Sequence, residues 1–442
     1  MLTEEPAIVK RVLGLFGTTM AVMGGIIGAG IFINPYLVAE RVHSPALILG
    51  AWIAGGVIAL AGGFIYAELA ARLPIVGGQY AYLRELHPAV AFTYGWVLLL
   101  VIQTGGMAAV AVTFSRYFIE LTRWPISDSV IAVAALALLT AINCAGVRAG
   151  SRVQSIMTLT AIAAIAVLEA FSFSREASPI SWRPVLDKPL DVDLVLAFGS
   201  AMTPVLFAYG GWQTSSFLGG EIRDARRTLP RALVLGVVGV IVVYTSVNFV
   251  YLRALGPAGL AESTTPASSV MRALLGPRGA QFIAAGIAFS AFGFLAQSML
   301  TAPRVYFAMA EDGVFFRSVG WVHPRTQVPV VAIALQGAWA IVIALTGTYA
   351  QVVNYVIAMD CIFIGLTAVA LFVFRRRGEN NEPIDFRVPG HPWTTLLFIA
   401  AEWIVVVSTF AHDPMRSFIG LGIAIAGLPA YLLWRNRKHR EG

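Results

Sequence analysis

The chain has 442 residues, of which 58% are hydrophobic and only 12% are charged, and its formal net charge is +7. Soluble globular proteins carry roughly 25% charged residues, so this chain has too few polar side chains to cover a water-facing particle. The composition therefore excludes an ordinary soluble protein and indicates an integral membrane protein. Nearly all basic residues lie in short segments between apolar runs, which is typical of an orientation signal and not of a nucleic-acid-binding surface.

Apolar runs of about 20 residues recur along the whole chain, and Pro, Gly or charged residues separate most of them. We predict one all-α integral membrane domain, 1–442, with no cleavable signal peptide. Both cysteines, Cys144 and Cys361, fall inside apolar segments, which argues against a disulfide. The twelve predicted transmembrane helices are 14–41, 45–71, 88–115, 127–146, 153–173, 192–220, 230–252, 280–309, 329–346, 351–374, 393–411 and 417–434.

The distribution of arginine and lysine predicts the orientation of these segments. If the N-terminus is cytoplasmic and the segments alternate, 21 of the 31 basic residues fall on the inner side and 10 on the outer side. Inner loops of membrane proteins carry the excess of basic residues. We therefore expect a multi-pass protein of the cell membrane with both termini in the cytoplasm.

Two glycine-rich stretches interrupt the first and sixth segments, at Gly24–Gly30 and Tyr209–Trp212. Each glycine weakens a helix by up to about 1 kcal/mol relative to alanine, and unpaired backbone at membrane depth is tolerated where it lines a cavity. We predict that both helices unwind there, so that free N–H groups bind an anion and free carbonyls bind a cation. An amino acid carries both charges. Close helix packing through Gly24 and Gly28 is the alternative interpretation.

Several motifs resemble those of a known superfamily. Gly24-Gly25-Ile26-Ile27-Gly28-Ala29-Gly30-Ile31-Phe32, followed by Glu68 and then Gly77-Gly78-Gln79-Tyr80 to Tyr82-Leu83-Arg84-Glu85, resembles the amino acid–polyamine–organocation (APC) superfamily. Leu206-Phe207-Ala208-Tyr209-Gly210-Gly211-Trp212, Asn143-Cys144 and Val388-Pro389-Gly390 resemble more narrowly the L-type (LAT-like) amino-acid transporters. The resemblance covers roughly 14–410.

The resemblance implies a specific architecture. It has ten core helices in two inverted five-helix repeats, 14–173 and 192–374, with helices 1 and 6 broken, and two peripheral helices, 393–434. The implied function is transport of an amino acid by alternating access. The positions of the two glycine-rich stretches, five spans apart, agree with inverted repeats.

The resemblance also implies the substrate site, residue by residue. The substrate carboxylate would meet the backbone of Gly28, Ala29 and Gly30. Phe207 would act as a gate. The ammonium would meet the carbonyl groups of Ile27, Phe207, Ala208 and Gly210. The substrate side chain would face segment 3 at Val101, Ile102 and Gly106.

Two positions bear on the driving force. Relatives without a sodium site often place a lysine in segment 5, where this chain has Ala161. A sodium site would want two hydroxyl groups on segment 8, where the matching stretch from Ser290 to Phe294 supplies one. We therefore expect sodium-independent exchange or uniport of neutral L-amino acids, with no cofactor or metal. Proton-coupled symport and transport of cationic amino acids or polyamines remain alternatives, as does an amino-acid-sensing receptor on a transporter fold.

Two acidic residues lie deep in predicted helices, and intramembrane acids are candidates for function. Asp360 is about nine residues into segment 10, roughly 14 Å from its end, and could carry a proton, recognise the substrate amine or hold helices together. Glu402 in segment 11 is predicted to be structural. Glu68 and Arg72 are predicted to form a gating or loop-anchoring salt bridge. No motif of a hydrolase, metalloprotease or nucleotide-binding enzyme occurs, and the expected partners are an amino acid and the lipid bilayer, with no obligatory protein partner and no nucleic acid.

Overall fold

The computed structural model describes residues 13–73, 78–146, 151–173, 180–186, 189–213, 222–326, 328–377 and 386–441. The regular secondary structure of these residues is helical, apart from an isolated bridge between Leu13 and Ile222. The helices are, in chain order, α1 (Leu15–Ile26), α2 (Gly30–Arg41), α3 (Pro45–Arg72), α4 (Gln79–Leu86), α5 (Pro88–Val97), α6 (Gln103–Thr122), α7 (Asp128–Cys144), α8 (Ser151–Phe173), α9 (Val192–Tyr209), α10 (Ala225–Ala261), α11 (Pro266–Thr301), α12 (Pro303–Glu311), α13 (Val330–Thr346), α14 (Tyr349–Arg377), α15 (Trp393–His412) and α16 (Pro414–Glu441).

The lengths and hydropathy of these helices establish a multi-pass membrane protein. Within the described ranges, nine helical segments are long and apolar enough to cross a membrane, and α1 with α2 make a tenth if the bent pair is one span. The helices α7 and α13 are apolar but shorter, with 17 residues each. Each of the twelve predicted segments overlaps at least one of the helices.

Side chains at the helix starts explain where two of the spans begin. The Ser44 hydroxyl accepts a hydrogen bond from the Leu47 N–H at 3.1 Å, and Pro45 occupies the first position of α3. The Asp191 carboxylate accepts from the Leu194 N–H at 3.0 Å and begins α9. Both caps satisfy N–H groups that have no carbonyl partner within the helix.

Several predicted boundaries differ from the observed ones because glycine and proline act within the apolar runs. The segment predicted at 280–309 is two helices, since α11 begins at Pro266 and α12 begins at Pro303. Both α10 and α11 bend at a glycine in a left-handed conformation, Gly256 with φ 67° and Gly276 with φ 71°, each followed by a proline. Five residues between α5 and α6, Leu98–Ile102, form a π-helical turn.

Some sequence predictions fall outside the described residues. They include Gly77 of the loop motif and residues 214–220 of the predicted sixth span.

The broken pair α1 and α2 lies in the interior of the bundle. The helix α1 packs against α10 and α8, and α2 packs against α9. The helix α6 packs against α11, α14 and α7, which closes the bundle on the other side. The helices α15 and α16 pack on the outside of α14, and their exposed faces carry large apolar side chains such as Leu397 and Leu433 that suit contact with lipid.

Candidate functional site

The first helix break lies between Ile26 and Gly30. The axes of α1 and α2 differ in direction by 42°. The chain turns tightly, with the Ile27 N–H donating to the Met23 carbonyl at 2.6 Å and the Gly28 N–H donating to the Ile26 carbonyl at 2.7 Å. The N–H groups of the first turn of a helix have no partner within it, and the aligned peptide dipoles make that end electropositive. The start of α2 can therefore bind an anionic group.

The second break begins where α9 ends at Tyr209. Gly210 is extended, with φ −60° and ψ 161°, and Gly211 has φ 101°. Glycine adopts such positive φ values without steric penalty. The Gly211 N–H donates to the Gln213 side-chain oxygen at 2.9 Å. The helix therefore ends within the stretch where the sequence predicted a break.

The two breaks touch each other through backbone atoms. A Cβ atom added to Gly30 would lie 2.8 Å from the Ala208 Cα, and one added to Gly211 would collide with the Gly25 carbonyl oxygen. The buried Tyr244 hydroxyl of α10 donates to the Ile26 carbonyl at 3.0 Å and to the Ala208 carbonyl at 3.2 Å. The glycines thus serve close packing as well as chain breaking, so both interpretations of the sequence describe part of their role.

A cavity of about 150 Å³ lies where the breaks meet α6, α11 and α14. Two of the ten predicted binding residues, Ile27 and Val101, are buried in the core and lie outside its lining. Asp360 also lines the cavity, so the acid of segment 10 lies near the two breaks. The other eight predicted residues, which do line the cavity, are Gly28, Ala29, Gly30, Ile102, Gly106, Phe207, Ala208 and Gly210.

The lining also contains residues that the sequence analysis did not assign to the site. Phe294 of α11 packs on the first break, since a Cβ atom on Gly28 would lie 3.0 Å from its ring. The Gln103 side-chain amide donates to the Ser298 carbonyl at 3.3 Å and brings a polar group to the cavity. A lone glutamine within an apolar segment was the signal available for Gln103. The other lining residues that the sequence analysis did not assign are Ala21, Gly24, Gly25, Ile26, Met107, Val110, Gly211, Gln213, Val356 and Ile357.

A hydrogen-bond network ties α2, α9 and α14 together at one end of the cavity. Pro204 has no N–H, so the Ser200 carbonyl four residues earlier lacks its partner in α9. The Arg41 guanidinium donates to that carbonyl and, at 2.9 Å, to the Asn354 side-chain oxygen. Asn34 donates to the Pro204 carbonyl at 2.6 Å and accepts from the Tyr349 hydroxyl at 2.6 Å. We call this end of the bundle the Arg41 end.

A second network lies at the opposite end, where α3 and α14 finish, which we call the Glu68 end. Glu68 is 0% exposed and pairs with Arg72 at 2.7 Å and Arg375 at 2.6 Å. Its carboxylate also accepts from the Val388 backbone N–H at 2.7 Å. The predicted loop-anchoring salt bridge is therefore present, and it includes Arg375, which the sequence analysis did not pair with it.

A third contact at the Glu68 end joins α4 to the end of α12. The Arg84 guanidinium lies 2.9 Å from the Asp312 carboxylate, and the Tyr80 hydroxyl donates to the same carboxylate at 2.8 Å. The hydrogen bond from Arg84 to Asp312 raises the pKa of the guanidinium, and burial raises the pKa of the Tyr80 phenol. Both groups therefore keep their protons at physiological pH, and the contact persists there.

Broken helices that face each other across a cavity in mid-bundle are the architecture of secondary transporters, which is the class that the fold and the site define. A family model described as "Amino acid permease" matches residues 13–428. The chain belongs to this family, within the APC superfamily, and is a LAT-like amino-acid transporter.

Three relatives match almost the whole chain. The "Serine/threonine exchanger SteT" of Bacillus subtilis (strain 168) is 33% identical, over 99% of this chain and 100% of that protein. The "Large neutral amino acids transporter small subunit 2" of Rattus norvegicus is 31% identical, over 98% of this chain and 82% of that protein. The "Asc-type amino acid transporter 1" of Homo sapiens is 30% identical, over 98% and 84%. These names and the family description are those of transporters and not of enzymes.

Proposed function

We propose that this protein exchanges neutral L-amino acids across the cell membrane, without sodium, by alternating access. The observation that carries the proposal is the cavity between the two breaks, because it brings an electropositive helix start and the backbone of the second break together in a largely apolar lining. A zwitterion with a neutral side chain matches that arrangement.

The substrate is proposed to bind in one orientation. Its carboxylate lies against the backbone of Gly28, Ala29 and Gly30, at the start of α2. Its ammonium lies against the carbonyls of Ile27, Phe207, Ala208 and Gly210, and its side chain points toward α6. The cavity lining supports this orientation for Ile102 and Gly106, whereas Ile27 and Val101 are buried outside the lining. Phe207 is half-buried beside the cavity, a position suited to a gate.

Independence from sodium is supported by two features of the helices around the first break. Ala161 of α8 is fully buried and carries no cationic group. Phe294 packs on Gly28, in the region of α11 where a second hydroxyl ligand would be needed. Exchange, rather than uniport, is favoured because one similar protein is named a serine/threonine exchanger.

The proposed topology is that of the prediction: twelve spans, inverted repeats at 14–173 and 192–374, two peripheral helices and both termini in the cytoplasm. Under this topology the Glu68 end faces the cytoplasm and the Arg41 end faces outward. The protein is proposed to work without an obligatory protein partner, although one similar protein is named a small subunit.

Counterflow in proteoliposomes tests the proposal. Purified protein is reconstituted with or without internal L-serine, and uptake of labelled L-serine is measured with equal pH on both sides and with sodium or choline outside. We expect rapid uptake only with internal substrate, and equal rates in sodium and choline. Uptake that needs no internal substrate would contradict exchange, and dependence on sodium would contradict the proposed driving force.

Cationic amino acids are a second candidate substrate class, because the Asp360 carboxyl lines the cavity. A carboxylate there could pair with a charged substrate side chain. Competition separates the two classes: labelled L-serine uptake is measured against excess L-leucine, L-lysine or L-arginine. Inhibition by leucine alone supports the neutral class, and inhibition by lysine and arginine supports the cationic class.

A further inference from the structure

A glutamine brings a polar side chain to the cavity wall that α6 forms. The residues of α6 that line the cavity are Gln103, Gly106, Met107 and Val110, and Gln103 alone among these four has a polar side chain. A Cβ atom added to Gly106, about one helical turn further along, would meet nothing within 4 Å. The cavity therefore has room beside Gln103, in the direction in which the substrate side chain is proposed to point.

The contact of Gln103 with α11 fixes the orientation of its side-chain amide. The Ser298 carbonyl belongs to the last turn of α11, where carbonyl groups have no N–H partner within the helix. A carbonyl can only accept a hydrogen bond, so the group that lies 3.3 Å from it is the amide nitrogen of Gln103. The Gln103 side-chain oxygen accepts no hydrogen bond from the described residues. It is therefore an unpaired acceptor on a half-buried side chain of the cavity wall.

A second glutamine makes the same kind of contact with α11 without lining the cavity. The Gln336 amide of α13 donates to the Met299 carbonyl at 2.7 Å, and Pro303, four residues after Met299, has no N–H to donate to that carbonyl. Gln336 is 0% exposed and lies outside the cavity lining. Pairing of a carbonyl at the end of α11 explains Gln336, but it does not explain why Gln103 also lines the cavity.

Hydrogen bonds within the protein hold the backbone that carries Gln103. Gln103 directly follows the π-helical turn, and its N–H donates to the Leu98 carbonyl, five residues earlier. The buried Thr104 hydroxyl donates to the Leu99 carbonyl at 2.7 Å, which supports the same turn. Single π-helical turns within helices are frequent at functional sites. The backbone therefore fixes the position from which the Gln103 side chain reaches the cavity.

We propose that Gln103 is a specificity-determining residue that favours amino acids with a hydroxyl group on the side chain. The inference rests on the transport function proposed above and narrows the substrate class of that site. A bound substrate excludes solvent from the Gln103 oxygen, which then needs a new donor. The hydroxyl of serine or threonine donates a hydrogen bond. The methyl group of alanine or valine cannot, and it leaves the buried oxygen unpaired.

Competition between two amino acids of the same shape tests this role. L-Threonine carries a hydroxyl where L-valine carries a methyl group. Proteoliposomes loaded with L-serine take up labelled L-serine, and the concentrations of threonine and valine that halve this uptake are measured. For the wild type we expect threonine to be about fivefold more potent than valine, which is the effect of one neutral hydrogen bond. Gln103→Leu, which keeps a side chain of similar size without an acceptor, should bring the ratio close to one.

The matched control is Gln336→Leu, which removes the other glutamine contact with the end of α11. It should keep the wild-type ratio, because Gln336 lies outside the cavity lining. A wild-type ratio in Gln103→Leu would overturn the proposal, since another group would then bind the hydroxyl. An equal loss of the ratio in both variants would also overturn it, since the effect would come from the end of α11.

Two further measurements keep the proposal open to refutation. Gln103→Met is the second variant if Gln103→Leu does not fold, and the same ratio close to one is expected. Wild type that exchanges serine but is inhibited equally by threonine and valine overturns the role of Gln103 and leaves the proposed exchange standing. Wild type that exchanges no amino acid overturns the proposed function, and the role of Gln103 with it.

Discussion

At the scale of single residues, the absence of one carbon atom allows the two breaks to meet. Gly30 lies so close to Ala208 that the added Cβ would be 2.8 Å from a backbone atom. Real Cβ atoms do not approach other backbone atoms that closely, and backbone cannot move aside as a flexible side chain can. Glycine is therefore required at position 30 for close packing against α9, as well as for leaving the N–H groups of the break exposed.

Replacement of Gly30 is expected to disable transport. We expect Gly30→Ala to reduce the rate of serine exchange at least about tenfold, equivalent to about 1.4 kcal/mol, because α2 must shift away from α9. Counterflow rates measure the effect, and size-exclusion chromatography checks folding. The control is Gly50→Ala in α3, where an added Cβ meets nothing within 4 Å. Equal exchange rates for the two variants would contradict the assigned contact.

A single hydroxyl group also holds both breaks. We expect Tyr244→Phe to lower the free energy of unfolding by about 1–3 kcal/mol, because the hydrogen bonds from its buried hydroxyl to the Ile26 and Ala208 carbonyls are lost. The midpoint of thermal unfolding in detergent measures the change. Tyr251→Phe is a matched control on the same helix, since the Tyr251 hydroxyl has no hydrogen-bond partner among the described residues. It should unfold at the wild-type temperature, and an equal loss in both variants would refute the role of Tyr244.

At the scale of helices, charged side chains connect the ends of the membrane spans to neighbouring helices. Pro204 frees the Ser200 carbonyl in α9, and the Arg41 guanidinium at the end of α2 binds it. At the opposite end, Glu68 joins α3 to α14 and to the segment before α15. These contacts connect helices at opposite ends of the same cavity, so their making and breaking suit alternating access.

The Glu68 cluster is expected to contribute more to stability than an exposed ion pair. We expect Glu68→Gln to destabilise the protein by about 3–5 kcal/mol, because Arg72 and Arg375 would keep their charges without the buried partner. Glu85→Gln is the control, since Glu85 pairs with Arg377 at 3.7 Å and both side chains are about two-fifths exposed. Such a surface pair contributes about 0–1 kcal/mol. Thermal midpoints of the two variants test the difference, and similar values would contradict it.

At the scale of the whole molecule, the distribution of basic residues predicts the orientation in the membrane. The helices α7 and α13 are shorter than the other spans, so the number of crossings depends on whether both traverse the bilayer. The orientation of every later loop depends on that number. A pair of loops on either side of α7 to α12 therefore reports whether α7 crosses the bilayer.

Labelling of single cysteines tests the twelve-span topology. In a background with Cys144→Ala and Cys361→Ala, one cysteine is placed at exposed Trp124 or at exposed Arg325. We expect an impermeant maleimide added to intact cells to label Trp124→Cys, because the proposed topology places that loop outside. Arg325→Cys should react only after the cells are opened. Labelling of both positions in intact cells would contradict the topology.

The sequence alone was sufficient to predict a multi-pass helical membrane protein, most helix positions and the two breaks. It could do so because hydrophobic length, the spacing of glycine and proline, and the placement of arginine act locally along the chain. Boundaries failed where glycine and proline bent or divided a run, as at Gly276 and Pro303. Eight of the ten predicted binding residues line one cavity, since a broken helix exposes its own backbone wherever it breaks.

The tertiary structure decided which distant groups meet. Three contacts join residues that are far apart in the chain: Phe294 with Gly28, Tyr244 with both breaks, and Arg41 with Ser200. Helix packing brings them together, and hydropathy does not specify which neighbour a buried side chain contacts. Val101 and Ile102 show the limit most clearly. Both are apolar and adjacent, but only Ile102 reaches the cavity, because neighbouring side chains on a helix point in different directions.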